Sequence, residues 1–378
     1  MAEVTIYEGA LDKGLEGVVA CTTAVSFIVG NTLNYRGYTI EDLVAHSNFE
    51  EVIFLLWNNR LPSAVELEKI KSDLNKNMTL DSEYVSALKT LPTDVHPMTW
   101  LRTAVSLMAH WDKDANDNST EANMRKAIRL VAKMGSIVCA FEAIRNKREI
   151  LNPVAGKSIA WNFMRMLKGT EPDPELVNVM DTCLILHADH ELNCSAFATR
   201  VTASSLSDMH SAIVSAIGAL KGPLHGGANE QVMVMLAKIG TMDKAQQFVK
   251  DALNAKEKVM GIGHRVYKDG DPRAAILRKF SKTLTAKIGK PELYEMSVLI
   301  DETMNKEKGL MPNVDFYSAT VYHSMGIPTD IFTPIFAVSR VAGWIAHANE
   351  QYEKNRIYRP RGKWQGPEGL SWKPVEDR

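Results

Sequence analysis

The sequence predicts an all-α protein built as a large helical domain with a smaller, mobile helical domain, and three observations carry that prediction. Most long segments repeat their apolar residues with a period near 3.6. Helix-start chemistry recurs along the chain, whereas alternating strand patterns are scarce. At 378 residues the chain is also too long for a single core of ordinary size, which favours two domains.

Taken in order, "SFIVGNTLNYRGY" (26 to 38) is the one plausible hairpin, turning at Gly30-Asn31. Ser63 with Glu66 forms a capping-box pattern ahead of "ELEKIKSDL". "DKDANDNS" (112 to 119) reads as a polar loop and "RNKREI" (145 to 150) as solvated charge, and neither resembles a domain linker. Asp173-Pro174 and Asp271-Pro272 each supply an N-cap followed by Pro at the first helical position. A helix is expected from about 177 to 206, with His187 and His190 on one face. Another begins near Asp315, where an Asp in that setting is most commonly an N-cap. "IFTPIFAVSRVAGWIAHANE" is the most apolar stretch, and Arg340 interrupts it, so it reads as a buried helix and not a membrane span. The sharp breaks "KGPLHGG" near 221 and "GIPTD" near 326 divide the chain. Residues 1–221 and 327–378 are expected to form the large domain and 222–326 the small one, with small residues at the hinge.

Composition excludes several classes. The net charge of -1 offers no global field for nucleic acid or anionic lipid. Cys21, Cys139, Cys183 and Cys194 show no CxxC spacing and read as reduced thiols of a cytoplasmic protein. Glu3, Glu8, Asp12 and Glu16 argue against a signal or transit peptide.

Chemistry-bearing side chains fall in breaks and at helix ends: "LHADHELN" (186 to 193), "GPLHGGAN" (222 to 229), "GIGHRVYKDGDPR" (261 to 273) and "MPNVDFYSA" (311 to 319). His187 and His190 lack the HExxH or His–Cys setting of a zinc site, and Cys194 and Ser195 lack a nucleophile elbow. "GIGHRV" lacks the third Gly of a dinucleotide loop, but free backbone N–H groups beside Lys256, Lys258, Arg265 and Lys268 suit an anionic ligand. Arg273 opens a helix, where the dipole disfavours a cation, and Arg340 is costly to bury without an anion. Asp315 is either a cap or a general base. A carboxylate to take a proton from carbon, neutral His residues to steady an enolate, and Arg residues to grip a dicarboxylate describe one chemistry. It is the condensation of an activated acyl donor with a keto acid, and it requires neither metal nor redox cofactor.

At these residues the sequence resembles citrate synthase. "ILHADHELNCSAFATRV", "GALKGPLHGGANE", "GIGHRVYKDGDPR", "PNVDFYSA", "FAVSRVAGW" and "RPRGKWQGPE" follow that family's segments in order, as do "GLEGVVA", "YRGYTIEDL" and "FEEVIFLLW". The resemblance implies an all-α homodimer of the tricarboxylic acid cycle in which oxaloacetate binds first and closure builds the acetyl-CoA site. It assigns Asp315 as the base, His225 to the enolate and His264 to the oxaloacetate carbonyl. His190, Arg273 and Arg340 become oxaloacetate or citrate ligands, and Arg359 the arginine lent by the neighbouring subunit. Val259, Met260, Gly261, Ile262 and Gly263, with Lys256 and Arg361, become contacts to CoA, which enters as substrate. The enzyme is then an acyltransferase that converts acyl to alkyl with Si stereochemistry. The chain lacks the additional N-terminal domain of the large NADH-regulated hexamers, so a simple dimer is expected.

Three rival readings remain at this level. A 2-methylcitrate synthase shares the motifs and takes propionyl-CoA, although "HRVYKDGDPR" stands where those enzymes tend to carry "HPVY". A non-catalytic helical scaffold requires the His and Asp breaks to be accidental. A hydrolase through Cys194 or Ser195 predicts sensitivity to thiol or serine reagents.

Overall fold

The computed structural model describes residues 13–15, 17–264, 266–267 and 269–378. Glu3, Glu8, Asp12 and Glu16 near the start, and Arg265 and Lys268 of the basic group, lie outside the described residues. Helices dominate, as predicted. The hairpin forms too: β1 (Ser26–Val29) pairs antiparallel with β2 (Thr32–Tyr35) across Gly30-Asn31. The structure adds β3 (Tyr38–Thr39) to it, because Arg36 and Gly37 both take positive φ and make a second tight turn.

The helices begin where capping chemistry places them. α1 (Ile40–His46) and α2 (Phe49–Asn58) start behind Thr39 and Asn48, whose side chains accept the Asp42 and Glu51 N–H groups. α3 (Ala64–Asn77) opens on the full Ser63–Glu66 capping box. α4 (Ser82–Leu88) is followed by α5 (Pro97–Met108), capped by the His96 ring, and by the long α6 (Thr120–Arg145) behind Ser119. α7 (Ile159–Lys168) is capped by Ser158 and α8 (Pro174–His187) by Asp173. Then come α9 (Cys194–Ser204), α10 (Met209–Leu220), α11 (Ala228–Ile239) and α12 (Met242–Asn254). α13 (Pro272–Lys287), α14 (Pro291–Lys308), α15 (Val314–Ser324) and α16 (Phe332–Glu353) complete the set.

One expectation is corrected here, and one open alternative is decided. The helix foreseen from 177 to 206 is two helices, because Asn193 caps α9 with its side-chain oxygen on the Ser195 and Ala196 N–H groups. Asp315 is not an N-cap. Asn313 takes that place by accepting the Asp315 N–H, so the Asp315 carboxylate is not used as the cap.

α16 forms the axis of the core, packed against α2, α6, α8, α9 and α10. By length and composition it is apolar enough to cross a membrane, yet its most apolar stretch lies wholly inside the protein. α11 to α15 pack on one another, α13 and α11 against α15 and α12 against α14. Thr23–Arg356 is one compact unit. The terminal segments, Ile357–Arg378 with the described part of Met1–Thr22, form another, in which Ile357, Trp364 and Trp372 are exposed.

One buried acid in this core makes stability depend on pH. Asp181 on α8 accepts the Phe49 N–H at the start of α2, and burial, followed by the charge of Glu50, pushes its pKa up to about 7. In the unfolded chain it ionises near pH 4. Its contribution is therefore complete below about pH 4 and is lost as pH rises towards 7. Asp181→Asn should raise Tm relative to the parent by about 2–4 °C more at pH 8 than at pH 4. Paired thermal melts check this, and an equal difference at both pH values would refute it.

Candidate active site

The site begins at the break between α8 and α9. Ala188 to Asn193 contains no Gly or Pro, so tertiary contacts must hold it open. The β-meander supplies them. Tyr35 Oη lies 3.0 Å from the Asp189 carbonyl and accepts the Asp189 N–H at 3.2 Å. Ser26 Oγ donates to Asp189 Oδ2 at 2.5 Å and accepts the Glu191 N–H at 2.7 Å. On the other side α16 presses in at Gly343, whose N–H reaches the Ala188 carbonyl. A Cβ at that position would collide with the Ala188 carbonyl and the Asp189 side chain, so only Gly fits.

The break separates the two histidines. His187 is a core residue: its Nδ1 bonds the Cys183 carbonyl at 2.7 Å and its ring packs edge-on against Phe336. His190 instead faces His264 and Tyr267, with Nε2 3.1 Å from Tyr267 Oη. Burial, then the Arg273 charge, holds its pKa well below the ordinary value, so it is neutral at pH 7.

Arg340 and Arg273 are both buried but differ in their partners. Arg273 is bonded to Asp271 through Nε (3.0 Å) and Nη2 (2.8 Å), and Asp271 also caps α13 and accepts the Val314 N–H. Arg340 donates from Nε to the His187 carbonyl at 2.7 Å and stacks over Phe336. Among the described residues it forms no ion pair with a carboxylate, and burial lowers its pKa to about 10. A buried guanidinium without an anion is costly. An arriving carboxylate removes that cost and gains a forked, charge-assisted pair.

Residues 261 to 264 are laced to the start of α15. Gly263 N–H donates to the Met311 carbonyl, Asn313 N–H to the Gly261 carbonyl, and Asn313 Nδ2 to the Gly263 carbonyl. Gly261 has φ +74°, and a Cβ there would lie 2.9 Å from the Phe316 Cα. Beyond this lacing, His264 Nδ1 accepts the Val266 and Tyr267 N–H groups, so the neutral ring carries its proton on Nε2. A cavity of about 90 Å³ opens beside it, lined among others by His264, Tyr267 and Met311.

The same lacing fixes Asp315. Its Oδ1 is buried with no hydrogen-bond partner among the described residues, and burial raises its pKa to about 7. The neighbouring charges of Arg273 and Arg340 pull that value down and Asp271 pushes it up, which places all four in one electrostatic neighbourhood. A half-ionised carboxylate with an idle oxygen is suited to take a proton at neutral pH.

His225 approaches from the α10–α11 loop. Its Nε2 lies 2.8 Å from Ser195 Oγ, which accepts the Trp344 indole N–H at 3.0 Å and lies 2.8 Å from Asn193 Oδ1. Burial, then the Arg340 charge, lowers the His225 pKa to about 4, so it too is neutral. The structure thus gathers His190, His225, His264, Arg273, Arg340 and Asp315 from five separate stretches.

Other assigned residues are placed differently. Val259 and Gly261 are buried and Lys256 is exposed, with part of the loop backbone already committed to α15. Arg359 and Arg361 belong to the unit formed by the terminal segments. Ser195, Trp344, Tyr267 and Asp271 are additions that sequence reasoning missed as site residues. Ser195 stood out only as an unsupported nucleophile, and its position beside an N-cap Asn was the one signal of a fixed hydroxyl.

Comparison with known proteins identifies the family. The family model for the citrate synthase C-terminal domain matches residues 14–361. Citrate synthase 2 of Bacillus subtilis (strain 168) is 52% identical over 97% of this chain and 99% of its own length. A citrate/2-methylcitrate synthase of the same organism is 40% identical over 94% of this chain and 96% of its own. Among solved structures, the Thermoplasma acidophilum citrate synthase, in ternary complex with carboxymethyl coenzyme A and oxaloacetate, superposes with a TM-score of 0.93. It is 33% identical, over 98% of this chain and all of that one. Fold, site chemistry and similarity along nearly the whole length converge, and the chain belongs to the citrate synthase family.

Proposed function

We propose that this enzyme condenses acetyl-CoA with oxaloacetate and water to give citrate and CoA, as an acyltransferase that turns acyl into alkyl on the si face of the ketone. The observation that carries the reading is Asp315: a buried carboxylate with an idle oxygen, beside two buried guanidiniums and among neutral imidazoles.

Each residue then has a role set by its surroundings. Arg340, lacking a carboxylate of its own, takes one end of oxaloacetate, with Arg273 and His190 beside it. Asp315 removes a methyl proton from acetyl-CoA, and the electron pair moves into the enolate. His225, neutral and fixed by Ser195, hydrogen-bonds the enolate oxygen as charge develops. His264 presents Nε2–H to the ketone oxygen and donates that proton as the carbon–carbon bond forms. Water then cleaves the citryl thioester.

A homodimer in which Arg359 serves the neighbouring site is the assembly we favour, supported by the exposed Ile357, Trp364 and Trp372 of the same unit. The 259–263 loop with Lys256 is a surface we assign to CoA, Arg361 is separately assigned to it, and residues 222–326 are the domain that closes. No metal or redox group enters this scheme, and we place it in the cytoplasm, within the tricarboxylic acid cycle.

The acyl donor is the finer question, since one relative is named for both activities. A methylene in an apolar pocket is worth about 1–3 kcal/mol, so both donors are expected to react. Measured by CoA release with oxaloacetate, kcat/KM should favour acetyl-CoA over propionyl-CoA by about tenfold or more. A preference for propionyl-CoA would make the protein a 2-methylcitrate synthase.

A further inference from the structure

Glu230, in the first turn of α11, stands where three helix starts converge. It is largely buried, and its two oxygens serve different elements. Oε2 lies 3.0 Å from Nε2 of His96, the N-cap of α5. The His96 Nδ1 already accepts the Met98 N–H, so the neutral ring points its remaining proton at Glu230. Oε1 accepts the Thr333 N–H at 3.2 Å, in the first turn of α16, and also bonds Thr333 Oγ1. Neither α11 nor α16 has a side-chain cap of its own. One carboxylate therefore supplies negative charge to all three N-termini, where the helix dipoles favour it.

The consequence reaches the loop before α11. Thr333 Oγ1 also lies 3.3 Å from the carbonyl of Gly226, the residue after His225, but its single proton goes to the nearer Glu230. Gly226 is itself pinned by its N–H on the Leu220 carbonyl, and any Cβ there would strike Leu220. On its far side the His225 ring meets Ser195, held by Trp344 of the same α16. So α16 holds His225 from two sides, through Trp344 at the ring and through Thr333, whose N–H and O–H both go to Glu230 at the start of the helix that follows the His225 loop.

We propose that Glu230 is a positioning residue for His225, acting by tying the first turn of α11 to Thr333 of α16 and touching no substrate. The proposal rests on the assignment of His225 to the enolate oxygen. Misplacement of a catalytic group by about 1 Å can cost about a hundredfold, so a loosened anchor should appear in kcat. The oxaloacetate ligands lie elsewhere, so its KM should hold.

The test is steady-state kinetics on Glu230→Ala, Thr333→Val, Thr333→Ser, His225→Ala and the double variant Glu230→Ala/His225→Ala. Circular dichroism establishes that each is folded. Glu230→Ala should lower kcat by about tenfold or more, with the oxaloacetate KM within about twofold. Thr333→Val should show a loss of the same kind, and Thr333→Ser, which keeps the hydroxyl, should recover it. In the His225→Ala background, Glu230→Ala should cost no more than about twofold, because nothing remains to position. A folded Glu230→Ala with parental kcat, or a double variant showing the product of the two single losses, overturns the proposal. If Glu230→Ala does not fold, the contrast between the two Thr333 variants decides it alone. A parental kcat in His225→Ala would overturn the assignment of His225 itself, and this role with it.

Discussion

Asp315→Ala and Asp315→Asn are expected to lower kcat by about a thousandfold, the scale of losing a positioned general base. The carboxylate must be ionised to act, and its pKa is raised to about 7. kcat/KM for acetyl-CoA in the parent should therefore rise with pH and level off above about 7. The same burial makes the charge a burden on the fold. Asp315→Asn removes a charge that the folded state must desolvate, so its Tm at pH 8 should equal or exceed the parent's. Steady-state rates and melts on the same preparations check both halves. Retained activity would remove Asp315 from the chemistry, and a collapse in Tm would make it structural.

His225→Ala or His225→Asn is the second large effect, a fall in kcat of about a hundredfold or more, the usual cost of losing a donor to a developing oxyanion. Oxaloacetate binding should survive, because Arg340, Arg273 and His190 hold that substrate in the present scheme. Isothermal titration with oxaloacetate alone should give a Kd within about threefold of the parent. A variant that loses oxaloacetate binding and stability together would return His225 to a packing role.

The parts of this site legible in sequence were those written in backbone-breaking residues. His225 sits among a Pro and Gly residues, His264 follows Gly263, and Asp315 follows Pro312-Asn313, so each break announced itself. The break at 188–193 carries no such residue. It exists because Tyr35, Ser26 and Gly343 act on it from distant parts of the chain, and no local pattern encodes that. The 3.6-residue period accordingly ran through it, and His187 and His190 looked like a pair. For Asp315 the choice between cap and base stayed open for a related reason. Both Asn313 and Asp315 are competent caps, and only the lacing of Asn313 to Gly261 and Gly263 decides between them. Arg340 was readable as a charge needing an anion. Its direct partners are the His187 carbonyl and the Phe336 ring, and among the described residues no carboxylate pairs with it.

The hold of Ser26 on the α8–α9 break has a consequence for how the enzyme comes into being. Ser26 and Asp189 are 163 residues apart, and Tyr35 and Asp189 are 154. A nascent chain carries the meander long before the segment it must brace has been made. Closing so large a loop is slow and comes late relative to local helix formation. The helical bundle can thus be largely assembled while the His190 segment still lacks its brace. During refolding, helical signal should return ahead of catalytic activity, with the interval set by the docking of those few N-terminal residues.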